Sequence, residues 1–397
     1  MNEQANQLNK NRLLSIDILR GIIIVLMALD HTRDFFGAAN FSPTDLSQTD
    51  AAWFFSRWIT HFCAPLFVFL TGVSAYLYYQ KSNCLGQLRY FLLTRGLWLV
   101  FVELVIINVS WQFSYDFTFV QVIWVLGWSM IILAGLSYFA AKTILMICLP
   151  IVFLHNAIND QAIMDYLGDY GMWWMLLHQP GGFELFGTGW FVYISYALLP
   201  WPALMGIGFV IGVWFASDYR SQKRVKSLMI LGLSCCALFV LLRFTGWYGD
   251  RINWNSAEHF GQPLLSFFNT EKYPASLQFL LMTVGPGLIL LALLDSVKSD
   301  TRLYLVLKPL KVLGSVPMFF YLIHVPVINA ASQFYSYLVY GKAVMFFNGP
   351  SVFPQGYEPS LQLAYLAWIL VVLVLYIPCV YYSKLKAKSD HPIFSYI

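Results

Sequence analysis

The feature that most constrains this chain is a recurrence of long apolar runs, one after another, with little between them. A helix needs roughly 20 apolar residues to cross the hydrocarbon core of a bilayer. The runs fall at roughly 14–36, 57–79, 90–111, 119–140, 142–158, 188–216, 226–245, 274–295, 312–335 and 361–383. In lipid every backbone polar group must be satisfied within its own segment. The chain is therefore expected to be all-α, a polytopic membrane bundle of about ten transmembrane helices. Only 11% of its 397 residues are charged and 59% are hydrophobic, where a soluble protein carries about 25% charge. A net charge of +4 with no basic stripe among aromatics excludes a nucleic-acid partner.

The basic residues orient the bundle. With both termini in the cytoplasm, only Arg33, Arg57, Arg243, Arg251, Lys272 and Lys342 of the 24 Lys and Arg residues lie outside. That bias follows the positive-inside rule and predicts a multi-pass protein of the cell (inner) membrane. It divides the chain into a cytoplasmic tail (1–13), a transmembrane domain (14–383) and a second cytoplasmic tail (384–397). Lys10, Arg12 and the run from Ile22 to Leu29 imitate a signal peptide. Asp30, His31, Arg33 and Asp34 follow where a cleavage site needs small neutral residues, so the run reads as a retained span. None of the six cysteines has zinc-ligand spacing, and no metal is expected.

Ionisable residues inside spans are costly and mark functional sites by default. Span 1 carries Asp17, Arg20, Asp30 and His31, with Asp34 one turn further on. Eleven residues separate Arg20 from His31, which returns to nearly the same helix face about 16 Å along the axis. Asp34 is placed to orient the His31 ring. Arg57 and His61 open span 2, Glu103 and Asn108 sit in span 3, and His324 lies in span 9 between Pro317 and Pro326. Taken alone, these residues suit an enzyme or a proton relay in a secondary transporter. No internal repeat of the kind transporters carry is evident.

The segments Ser15-Ile16-Asp17-Ile18-Leu19-Arg20-Gly21 and Met27-Ala28-Leu29-Asp30-His31 resemble the opening of the heparan-alpha-glucosaminide N-acetyltransferase family, its bacterial members in particular. Thr60 to Gly72, Leu126 to Met130, Pro200-Trp201-Pro202, Asn269 to Pro274 and Phe320 to Pro326 extend the resemblance over nearly the whole chain. The Arg20–His31 spacing is also similar to the opening helix of the wider transmembrane acyltransferase superfamily. The loop before span 2 departs from the eukaryotic pattern, with Ala51, Ala52 and Trp53 where those members carry their catalytic histidine.

The resemblance implies transfer of an acetyl group from cytosolic acetyl-CoA to an amino or hydroxyl group of an extracytoplasmic sugar or glycan. His31, with Asp30 and Asp34, is the implied catalytic group, acting as general base or transient acyl carrier. Arg20 and Arg95 are the candidates for the phosphates of coenzyme A, a polyanion. Arg57, His61, Lys272 and His324 are the candidates for the acceptor. Membrane lipid is the remaining expected partner, and a homo-oligomer is left open. One cavity is expected to touch both Arg20 and His31.

Overall fold

The computed structural model describes residues 2–217, 219–255, 261–298, 300–389 and 391–396, with the side chains of 2–13, 392 and 395 outside the description. The protein is mostly helical. Its elements run α1 (Asn2–Phe36), α2 (Ala51–Trp58), α3 (Cys63–Ser82), α4 (Leu85–Phe101), α5 (Asn108–Gln112), β1 (Thr118–Val120), α6 (Val122–Leu136) and α7 (Ala141–Leu154). Next come α8 (Asp160–Leu167), α9 (Gly171–Leu177), β2 (Gly181–Glu184), β3 (Phe191–Ile194), α10 (Trp201–Ile211) and α11 (Ser221–Thr245). The chain ends with α12 (Pro263–Phe268), α13 (Leu277–Asp295), α14 (Arg302–Ser315), α15 (Pro317–Tyr340) and α16 (Leu361–Lys388).

Among the described residues, five helical runs are long and apolar enough to cross a membrane: Ala51–Ser82, Leu85–Gln112, Ser221–Thr245, Leu277–Asp295 and Leu361–Lys388. Two bent pairs raise the number to seven, one hinged by 85° between Ala157 and Asp160, the other by 84° between Ser315 and Pro317. This is a multi-pass membrane protein. The first helix is not among the seven, because Asp17, Arg20 and Asp30 interrupt its apolar stretch. The expected run at 188–216 is also corrected. Phe191–Ile194 is a strand, and the helix begins only at Trp201. Proline lacks an N–H and fits a helix start but not its interior, so Pro200 and Pro202 set that boundary.

A three-stranded sheet, ordered β1-β3-β2, departs from the all-α expectation. β1 pairs parallel with β3, and β2 pairs antiparallel with it. Two buried polar residues of the third run build this corner. The Asn108 side chain donates to the Phe119 carbonyl (3.1 Å) and accepts from the Phe119 N–H (2.6 Å), pairing with β1 as a strand would. Glu103, fully buried in a π-helical turn (Val102–Ile107), accepts from the backbone N–H groups of Gln121, Ile123 and Trp124. It thereby caps α6, whose first N–H groups have no partner within the helix.

The first helix is the hub, packed against α3, α13, α14, α15 and α16. Its crossing with α14 is backbone on backbone. A Cβ at Gly21 would overlap the Leu310 carbonyl, and one at Gly314 would overlap the Asp17 carbonyl. Lipid offers no hydrophobic drive between helices, so such close approach supplies dispersion contact instead. It also fixes the rotation of α1, and so which neighbours Arg20 and His31 meet.

Candidate active site

Two cavities lie along α1. The first, about 280 Å³, is lined by Arg20, Arg95 and Lys386 among apolar and aromatic side chains such as Leu99, Phe91 and Tyr78. Among the described residues no carboxylate lines it. Arg20 is held in place by its own neighbours: one guanidinium nitrogen donates to Ser74 Oγ, the other lies 3.4 Å from Asp17. Ser74 in turn donates to the Leu70 carbonyl at 2.5 Å. Three cations from α1, α4 and α16 thus face one space, with Asp17 beside Arg20 but outside the cavity lining, which suits a polyanion with an apolar arm.

The second cavity, about 250 Å³, is lined by Asp30, His31, Asp34, Arg57 and Lys272, with the rings of Trp111, Phe119, Tyr196, Tyr273 and Phe347. Gln121 and Ser195, from the sheet corner, complete the polar wall. Met27, Phe67 and Val122 line both cavities. The expected single cavity is therefore two, divided by a thin apolar septum. Arg20 and His31 sit on opposite sides of it.

His31 does not have the partners the sequence suggested. Its Nδ1 lies 2.7 Å from Nε2 of His324, and the two rings are stacked 4.9 Å apart. Nδ1 of His324 lies 2.7 Å from the Tyr321 carbonyl. A carbonyl only accepts, so the proton of a neutral His324 is on Nδ1 and its Nε2 is the acceptor. It follows that His31 donates from Nδ1 and keeps a bare lone pair on Nε2. Trp111 braces the ring edge-on at 4.9 Å.

The carboxylates are engaged elsewhere. Arg57 donates to both oxygens of Asp30 at 2.6 Å, and Arg33 and Thr60 add bonds of 2.6 and 2.7 Å. Asp34 accepts from Arg33 at 2.9 Å. Charge-assisted bonds are roughly twice as strong as neutral ones, so two guanidinium groups outcompete an imidazole for these acids. Asp30 and Asp34 thus brace the rim rather than orient His31.

Of the four acceptor candidates, Arg57 and Lys272 line the second cavity and His61 and His324 line neither. His61 is buried against Phe279, and its Nδ1 has no partner among the described residues. Sequence reading missed Trp111, Gln121, Tyr196 and Ser74. Only Tyr273 carried a signal, its place in the Asn269 to Pro274 segment.

The family model described as heparan-alpha-glucosaminide N-acetyltransferase, catalytic, matches residues 12–241, more than half of the chain. That region contributes His31, Arg20, Arg95 and most of both cavity walls. Among individual curated proteins, none matches the chain.

Proposed function

Because the chain belongs to the heparan-alpha-glucosaminide N-acetyltransferase family, a family of membrane acetyltransferases, we propose that it moves an acetyl group from acetyl-CoA in the cationic cavity to a sugar amine or hydroxyl in the histidine cavity. The observation that carries this reading is the bare Nε2 of His31, fixed by His324 and placed on the far side of a thin septum from three cations.

In the proposed step the acceptor sits in the histidine cavity, and the thioester reaches the septum from the other side. His31 Nε2 takes the acceptor's proton as its nitrogen or oxygen attacks the thioester carbonyl. The new C–N or C–O bond forms, the C–S bond breaks, and the coenzyme A thiolate recovers the proton from His31. The same lone pair is equally placed to carry the acetyl group as an acetyl-imidazole. A gain of one acetyl mass on the protein after exposure to acetyl-CoA alone distinguishes that route. Arg20, Arg95 and Lys386 hold phosphate oxygens throughout, so the nucleotide stays at its own face.

The vectorial form of the reaction follows from the proposed topology: ten crossings, both termini cytoplasmic, residues 14–383 as the catalytic domain, and placement in the inner membrane. The basic-residue bias supports it, as does the partition of Arg20, Arg95 and Lys386 at one end of α1 from His31 and Lys272 at the other. A proton-relay transporter is less well supported. Glu103, its most buried acid, is spent capping α6.

The test is turnover and acetyl-CoA affinity of purified, folded His31→Ala with glucosamine as acceptor. The proposal requires turnover to fall about 10²- to 10⁴-fold with affinity near wild type. Unchanged turnover in a well-folded variant rules it out.

A further inference from the structure

Neither cavity uses α8 or α9. α7 closes in a single turn (His155–Ala157), and the run Asp160–Leu177 leaves it at 85°. Two neighbouring spans fix the depth of that corner. The Asn156 side chain accepts from the N–H of Leu277, the first residue of α13, at 2.8 Å. Asp160 accepts from Arg251, in the loop that follows Thr245, the last residue of α11. The pair therefore starts at the level where one apolar span ends and another begins. Trp247, 84% exposed, marks the same level, and tryptophan gathers at membrane–water boundaries. From such a boundary, a right-angled turn carries a helix along the surface.

The outer side of the pair has two rows. Tyr170, Trp173 and Leu177, three and four residues apart, are exposed along α9, and Tyr166 is the exposed aromatic of α8. Beside them Gln161, Asp165 and Asp169 are exposed at intervals of four, with Gln161 donating to Asp165 at 2.7 Å. The inner side is closed on itself: Trp174 Nε1 donates to Asp160 at 2.7 Å, and His178 Nδ1 lies 2.6 Å from the same oxygen. Two carboxylates and the backbone break at Gly168, with φ of 52°, would be costly in hydrocarbon. A row of large exposed rings, in turn, marks an interaction surface rather than a face made for water. Only the interface suits both rows. No Lys or Arg lies between Lys142 and Arg220 to hold the segment by charge instead.

We propose that α8 and α9 lie in the plane of the membrane interface, at the end of the bundle that holds the histidine cavity. Tyr166, Tyr170, Trp173 and Leu177 are seated about 5–10 Å into the boundary between headgroups and acyl chains, and Asp165 and Asp169 face water. The lipid surface thereby supports a cavity wall. The Leu176 and Leu177 carbonyls accept from the N–H groups of Leu198 and Leu199 (2.9 and 2.7 Å), just beyond Ser195 and Tyr196, which line the histidine cavity. The inference needs the membrane bundle and is independent of acetyl transfer.

The experiment places a nitroxide on Asp165→Cys, Tyr166→Cys, Asp169→Cys, Tyr170→Cys, Trp173→Cys and Leu177→Cys in turn, with the exposed Cys84 replaced by serine. Each protein is reconstituted into phosphatidylcholine vesicles, and the Cys84→Ser protein alone gives the background. All the labelled side chains are exposed, so the packing is left intact and each position reports independently. Paramagnetic resonance then reads collisions with oxygen, which concentrates in lipid, and with a water-soluble nickel chelate. The oxygen-to-nickel ratio should be several-fold higher along the apolar row than at the two aspartate positions. The rows should stay apart when phosphatidylglycerol is added or salt is raised, because rings and not charges make the contact. High nickel access at every position overturns the proposal, since both rows then face water. A ratio that climbs steadily along the chain toward Leu177 also overturns it, since the segment then dips into the core. Lipid contact seen only with phosphatidylglycerol present overturns the aromatic seat.

Discussion

Replacing His324 by leucine tests how the reactive nitrogen of His31 is set. Nε2 of His324 accepts the Nδ1 proton of His31 across 2.7 Å, and the Tyr321 carbonyl holds His324 in the matching tautomer at 2.7 Å. Leucine keeps the volume and removes the acceptor. His31 Nδ1–H then lacks a partner in a buried site, which costs about 1–3 kcal/mol. The ring can recover part of that by moving its proton to Nε2, where it no longer acts as a base. Either course lowers the reactive population, and at 1.36 kcal/mol per decade turnover should fall about 10- to 100-fold. His324→Gln presents a carbonyl oxygen where Nε2 stood, so it should recover part of the loss. Acetyl-CoA affinity, measured by calorimetry on folded protein, should stay near wild type for both, since His324 lines neither cavity. A folded His324→Leu protein with full turnover refutes the reasoning. Glutamine performing no better than leucine refutes it as well.

Three further outcomes follow from the geometry. Arg20→Ala should weaken acetyl-CoA binding about 10- to 100-fold by titration, through loss of a charge-assisted contact, with the acceptor KM little changed. Gly314→Val drives a side chain into the Asp17 carbonyl, and overpacking of about 1–3 kcal/mol or more should show as a lower Tm and poor recovery from detergent. Burial pushes the Glu271 carboxyl, in the loop before α13, up to about 7 from its ordinary 4.5. The folded state therefore binds its proton more tightly than the unfolded state. The stability this confers is full below about pH 4.5 and is lost as pH rises through 7. Glu271→Gln should raise Tm at pH 8 and leave it nearly unchanged at pH 4.

The helical bundle was legible because apolar length is a local property, and so was the polar face of α1, because Arg20 and His31 share one helix. The partners of those residues were not. His324 lies 293 positions from His31 and Arg57 lies 27 from Asp30. Such pairings depend on how α1 is rotated against α14 and α15, which the glycine crossing at Gly21 and Gly314 settles in three dimensions. The sheet was hidden for a similar reason. Its strands are three or four residues long, too short for an alternating pattern, and they sat within or beside apolar runs. Glu103 read as a buried ionisable group in a span; only the fold shows it spent on the N–H groups of α6. Lys272 was legible as a candidate, but its place against the rings of Tyr196 and Tyr273 emerges only in three dimensions.

The central claim is that His31 serves acetyl transfer between two cavities proposed to open toward opposite faces of a membrane. It is tested most directly in proteoliposomes with radiolabelled acetyl-CoA confined to one side and an amino sugar to the other. Wild-type protein should deliver label to the sugar across the bilayer while the nucleotide stays behind, and His31→Ala should lose that transfer about 10²- to 10⁴-fold while still binding acetyl-CoA. Transfer only when donor and acceptor share a side, or transfer undiminished in His31→Ala, would contradict the account.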